Sequence, residues 1–154
     1  MKKIILVLAL LGVLNADDDV VKVVFNLTTS NLQTFEQKVL KGIATHKAHY
    51  EGQLKELDVA VVIHGGAYKF FVKDPAHSPF ASDKELIKAS PELAKRIASM
   101  ATTYEVSFLM CDSGRVSNKI KKNEIYDFVT MVPNAAIGLI DKQHEGFAYI
   151  PIRD

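Results

Sequence analysis

After residue 19 the chain alternates short apolar runs with stretches whose apolar residues recur every three or four positions. The first run, residues 20–27 (VVKVVFNL), is β-branched and reads as a strand, and Thr28, Thr29 and Ser30 behind it offer helix caps. Leu32, Phe35, Val39, Ile43, Tyr50, Leu54 and Leu57 then fall at spacings of three, four and seven, which predicts one amphipathic helix over residues 31–57 that runs through Gly42 and Gly52. Residues 58–64 (DVAVVIH) are apolar without alternation, as in a strand covered on both faces. A short helix is expected over 67–72 and irregular chain over 73–82, where Pro75 and Pro79 fall. Ser90-Pro91-Glu92 has the form of a cap followed by proline at the first helical position, starting a helix through Leu93, Ile97 and Met100 to about Thr103. Residues 105–110 (EVSFLM) form the third expected strand, ending in a Cys111-Asp112-Ser113-Gly114 loop. A short helix over 123–128 and a short strand over 129–132 follow. Pro133-Asn134 then opens a helix carrying Ile137, Ile140 and Asp141, capped by Gly146. The last strand, 147–152 (FAYIPI), belongs near a sheet edge because Pro151 has no N–H to give a ladder.

Strands alternating with helices, the strands uniformly apolar, predict an α/β fold. The expected form is a three-layer α/β/α sandwich around a mostly parallel sheet of about five strands. In such sheets ligands bind in the crevice beyond the carboxyl ends of the strands. That rule selects Asn26 and Thr28 after the first strand, then His64, Gly65 and Gly66 after the second. After the third strand it selects Cys111, Asp112, Ser113 and Gly114, and after the fourth Pro133 and Asn134.

The amino terminus changes the picture of where the chain works. Met1-Lys2-Lys3 is positive, residues 4–14 are apolar, and Leu14-Asn15-Ala16 precedes an acidic triplet, so residues 1–16 read as a signal peptide and 17–154 as one exported domain. Eleven apolar residues fall short of the roughly 20 that span a bilayer, so no stable membrane insertion is expected after cleavage. Removing Lys2 and Lys3 from 19 basic residues leaves 17 against 18 acidic ones. A near-neutral chain lacks the electrostatic footprint of a nucleic-acid binder, and Lys119, Lys121 and Lys122 read as a solvated loop. The chain has one cysteine, so no internal disulfide can staple it, and Cys111 is a buried inert thiol, a bridge to another chain, or a reactive group.

A thiol at the end of a strand lies within reach of backbone N–H groups, which stabilise the nucleophilic thiolate. His64 would serve as its base or cationic partner if the second and third strands are neighbours. His46 and His49, three apart on the long helix, supply two metal ligands but no third, and a solvated face is the simpler reading. No phosphate-loop or dinucleotide pattern occurs, so no nucleotide cofactor is expected. Tyr68, Phe70 and Phe71 are expected to form a pocket lid or an oligomer contact.

The segments VVFNLTTSN, DVAVVIHGGAYKFFV, VSFLMCDSG and NAAIGLIDKQHEGFAYIPI together resemble the DsrE/DsrF-like family of small sulfur-relay proteins, and most closely its exported single-domain branch. The similarity runs from about Val20 to Ile152. It implies homo-oligomers, trimers or hexamers, and a persulfide-bearing cysteine after the third strand, the position Cys111 holds here. The function so implied is a periplasmic sulfur carrier, non-enzymatic or weakly catalytic, which takes sulfane sulfur from a small sulfur species and passes it to a partner protein's thiol. Two features depart from the cytoplasmic relay pattern: the export signal, and an arginine-glycine-rich continuation reduced to Gly114-Arg115. The rival readings are a ligand-binding or structural oligomer with an inert cysteine, and a histidine-based metal module.

Overall fold

A computed structural model describes residues 20–154, so the expected signal peptide lies outside the described residues. Five strands, β1 (Val20–Leu27), β2 (Glu56–Ile63), β3 (Ser107–Cys111), β4 (Val129–Val132) and β5 (Ala148–Ile152), form one sheet in the order β4-β3-β2-β1-β5. Every neighbouring pair is parallel. The order changes direction between β1 and β5, which places the switch point of the sheet beside the loop after β1.

Alternation along the strands divides the sheet into two faces. Phe25, Leu27, Val61, Ile63, Phe108 and Met110 point to one face and are buried. That face is covered by a rod built of α1 (Leu32–Phe35), a π-helical turn over Glu36–Lys41 and α2 (Gly42–Glu51), and by α3 (Lys84–Thr102). Phe71 packs on Phe108 with ring centroids 5.2 Å apart, and Phe35 stacks on Phe70 at 4.3 Å. The opposite face carries α5 (Ala135–His144), which crosses from β4 to β5. A side chain at Gly138 would stand 3.1 Å from Val132 and 3.6 Å from Val62, so the missing side chain lets α5 lie close on the sheet. This is the three-layer arrangement the strand pattern predicts. Among the described residues no helix is long and apolar enough to cross a membrane.

Four local expectations are corrected. The helix predicted to run to Leu57 ends at Gly52, and Leu57 is a buried strand residue. Leu54, assigned to the buried stripe, is 92 % exposed and adopts a left-handed φ of 59° as the chain turns toward β2. Because Lys55 N–H closes back on the Tyr50 carbonyl at 3.0 Å, this turn is a helix terminus of the kind glycine favours. An exposed leucine there bears strain without burying surface. Leu54→Gly is accordingly expected to raise stability by about 0.5 to 1 kcal/mol in urea unfolding, and a loss would refute this strain.

The helix expected to start at Ser90 starts seven residues earlier, capped by Asp83, whose Oδ1 accepts from Leu86 N–H at 3.0 Å. Pro91 therefore sits inside α3 and leaves the Ile87 carbonyl without its helical donor. The Ser90 hydroxyl donates to that carbonyl at 2.9 Å and satisfies it. The helix expected over 123–128 shrinks to a 3₁₀ turn, Lys122–Glu124. Finally, the residues after Cys111 are not a loop but α4 (Asp112–Ser117).

At the β5 edge the expectation holds. Thr28 N–H donates to the Ile152 carbonyl at 2.9 Å, and Asn26 lies opposite Pro151, so Pro151 faces the open side of the sheet where its missing N–H costs no ladder bond.

Candidate functional site

The sheet brings the selected residues to one rim but sorts them into two clusters. Cys111 closes β3 and caps α4, so its sulfur sits where four polar groups converge. Gly114 N–H donates to Sγ at 3.4 Å and the Ser113 hydroxyl lies 3.3 Å from it. The Ala135 amide at the start of α5 adds a donor from a second element. Tyr68 donates its hydroxyl to the Cys111 carbonyl at 2.9 Å and lies against the sulfur. Burial pushes the thiol up, but the hydrogen bonds from Ser113, Gly114 and Ala135, with the Tyr68 hydroxyl beside the sulfur, outweigh it and hold Cys111 below the usual thiol range. The residue is 6 % exposed, more enclosed than the strand-end position suggested.

Around this sulfur the local chain is tightly braced. Arg115 Nε pairs with Asp112 at 2.8 Å, and its Nη1 donates to the Ile120 carbonyl, which fixes both ends of α4. Ser113 N–H reaches the Pro133 carbonyl at 3.3 Å, and Asn134 caps α5 by accepting from Ile137 N–H at 2.9 Å. Thus Asp112, Ser113, Gly114, Pro133 and Asn134 all bear on the thiol's surroundings.

Tyr68, Phe70 and Phe71 lie in a 3₁₀ helix, Gly65–Phe71, and are buried in the core. Buried, they form no surface contact: Phe70 and Phe71 pack on Phe35 of the rod, and Tyr68 turns instead toward Cys111 and Gly114 of α4. Gly65 takes a left-handed φ of 60° beside Thr28, and a side chain on Gly66 would come within 2.6 Å of Ser30. These glycines serve close packing of the loops after β1 and β2.

His64 and Asn26 form the second cluster. His64 Nε2 lies 2.6 Å from Asn26 Oδ1, and Asn26 Nδ2 donates to Tyr149 Oη at 2.8 Å. Burial holds the imidazole below its usual range. The β2–β3 register ends with Ile63 opposite Met110, so His64 and Cys111 come next on adjacent strands. Val62 and Val132 both touch α5; His64 alternates with Val62 and Cys111 pairs with Val132, so histidine and cysteine share that face. The hydrogen bond that His64 makes, however, runs to β1 and not toward the thiol.

Tyr149 was not legible in the sequence, where FAYIPI reads simply as apolar; the only signal was a phenol placed two residues before the edge proline. A third polar cluster, also unforeseen, ties the Asp154 carboxylate to the Thr29 and Ser30 hydroxyls at the switch point. The two helix histidines are otherwise engaged: His46 stacks on Phe25 and His49 accepts from Gln53 Nε2 at 2.9 Å. Among the described residues no group of three or more His, Cys, Asp or Glu side chains gathers to hold a metal. A cleft of about 600 Å³ lies far from the rim, lined by Lys47, Glu51, Leu57 and Tyr104 near the amino ends of β2 and β3.

A parallel α/β sandwich with a hydrogen-bonded cysteine joining its third strand to the next helix defines the class. The chain belongs to the DsrE/DsrF-like family, whose model matches residues 22–152. An uncharacterized protein from Aquifex aeolicus (strain VF5) is 29% identical over 106 residues, covering 64% of this chain and 46% of that protein. The chain thus spans about half the length of that relative. Among solved structures, MTH1491 from Methanobacterium thermoautotrophicum, a protein of unknown function, superposes with a TM-score of 0.56 at 19% identity, covering 85% of this chain and 98% of that one. That likeness establishes the shared fold.

Proposed function

We propose that the protein is an exported sulfur carrier that holds sulfane sulfur on Cys111 as a persulfide. The observation that carries this reading is the convergence of the Ser113 hydroxyl and the Gly114 and Ala135 amides on Sγ. A thiolate so held attacks the outer sulfur of thiosulfate, forms Cys–S–S⁻ and releases sulfite; a partner's thiolate then takes the outer sulfur and returns Cys111 to its thiolate. One cysteine suffices because the resolving thiol belongs to the partner. Family membership supports a sulfur-relay role, and the amino-terminal pattern of residues 1–16 supports work in the periplasm. The exposed apolar side chains of Val116, Ile137 and Ile140, on the two helices that flank Cys111, support docking of a second copy, as in the expected trimer or hexamer.

Incubating purified protein with thiosulfate or polysulfide and weighing it intact is expected to add about 32 Da per sulfur to wild type and nothing to Cys111→Ser. An unchanged wild-type mass, or an equal gain in the variant, overturns the proposal. The low exposure of Cys111 favours a second reading, an oligomer with an inert thiol. That reading expects a thiol reagent to label Cys111 only after unfolding, whereas the carrier is labelled in its native state.

A further inference from the structure

The rod leaves the edge strand β5 uncovered. Ala148, Ile150 and Ile152 pair with Val23, Phe25 and Leu27, so their side chains turn to the rod's side of the sheet, away from α5. Ile152 is buried, yet Ile150 keeps 42 % of its surface and Ala148 is exposed. Two clefts, of about 400 and 280 Å³, run along this strip between β5 and the rod. They share Phe25, His46 and Ile150, with His46 stacked on Phe25 at 11° between planes, and form one trough of the size that holds small molecules.

The two ends of the trough differ. Near the start of β5 its wall is apolar, with Val21, Val23, Tyr50 and Leu57; Lys22 also lines it, but its Nζ reaches the Glu145 carbonyl at the end of α5 on the other face. Near the end of β5, Lys38 and Arg153 stand beside Thr34 and Gln37. Among the described residues no Asp or Glu lines either cleft, and neither Lys38 nor Arg153 is in an ion pair. Asp154, next to Arg153, turns its carboxylate to Thr29 and Ser30 instead. Cations without counter-charge at one end and apolar walls at the other suit an occupant with an anionic head and an apolar body.

The rod is shaped to leave this space. Thr34, Lys38, Gly42, His46 and Tyr50 recur every four residues along the wall, and Gly42 supplies no side chain at its middle. A methyl group there would meet, beyond its own helical turn, only the Gln37 carbonyl at 3.2 Å. A glycine that costs a helix interior stability is thus kept where it opens the trough. It closes the π-helical turn, its N–H donating to Gln37 five residues back, and such turns are rare and frequent at functional sites. We propose that the trough binds a small amphiphilic carboxylate, its chain laid on Ala148 and Ile150 and its head group held by Lys38 and Arg153. The five residues of β5 span about 16 Å, room for an alkyl chain of roughly ten carbons. The site lies on the opposite face of the sheet from Cys111 and is independent of the carrier reading.

Calorimetric titration of the protein with decanoate, kept below its micelle concentration, tests this. Saturable binding of one decanoate per chain is expected, with decyltrimethylammonium, the same chain on a cationic head, about tenfold weaker or more. Amide signals of Gly42, His46, Ala148 and Ile150 are expected to shift in NMR spectra while that of Gly114 stays in place. Lys38→Glu combined with Arg153→Glu, both on the surface, is expected to weaken decanoate about tenfold, and Gly42→Leu to block the trough. Should Gly42→Leu not fold, the charge-reversed variant decides alone. No binding, equal binding of the cationic chain, shifts centred on Gly114, or an unchanged affinity after charge reversal overturns the proposal. A second copy seated in the trough also overturns it, and is recognised by decanoate failing to bind while Ile150→Lys lowers the particle mass in light scattering.

Discussion

Gly114→Ala is expected to cost about 2 to 4 kcal/mol, measured as a lowered urea midpoint with an unchanged slope. A methyl group on Gly114 would stand 2.1 Å from Tyr68 Oη and 3.0 Å from Cζ, and Tyr68 is buried, so its ring cannot swing into solvent. Either the phenol is driven off the Cys111 carbonyl, leaving a buried acceptor unpaired, or α4 moves away and takes the Gly114 N–H with it. Both routes disturb the surroundings of the sulfur, so the native alkylation rate of Cys111 is expected to change in the same variant. Adding Tyr68→Phe removes the nearest clashing atom, and the double variant is expected to recover part of the loss. A shift of less than about 0.5 kcal/mol for the single variant would show that the contact between Tyr68 and Gly114 does not constrain the β3–α4 junction.

Phe35→Ala is expected to be more damaging still, at about 3 to 5 kcal/mol. Phe35 is fully buried where the rod meets the aromatic 3₁₀ turn. It stacks on Phe70 with planes 11° apart and meets Phe71 edge-on, with centroids 5.9 Å apart. Alanine removes the whole ring from a site walled by two other rings, neither of which can collapse without leaving its own contact; the lost burial and the cavity add. Thermal unfolding monitored by circular dichroism gives the cost, and a penalty below about 1 kcal/mol would mean the three rings repack freely. Phe35→Leu, which keeps most of the volume, is expected to cost clearly less.

The sequence made the strands legible because both faces of this sheet are covered where β1 and β2 run, and an unbroken apolar run as short as VAVVI suits a strand sandwiched between two layers. Helix ends were harder. Leu54 and Leu57 continue the helical spacing of Phe35, Val39 and Ile43 by coincidence, and only the turn after Gly52 reveals that one is solvent-facing and the other already in β2. Pro91 looked like a helix start because a proline in the interior orphans a carbonyl, and the repair by Ser90 is a tertiary detail invisible in the pattern. Cys111 was found by its place at a strand end. The donors around it come from α4 and α5, and the residue bonded to His64 depends on β1 lying next to β2, which no single sequence discloses.

Pro151 has a consequence beyond its tolerance at an edge. With its ring nitrogen turned outward, a second strand laid against β5 would find a gap in the donor row along only five residues. Self-templated stacking into fibrils from this side is therefore interrupted at its first layer.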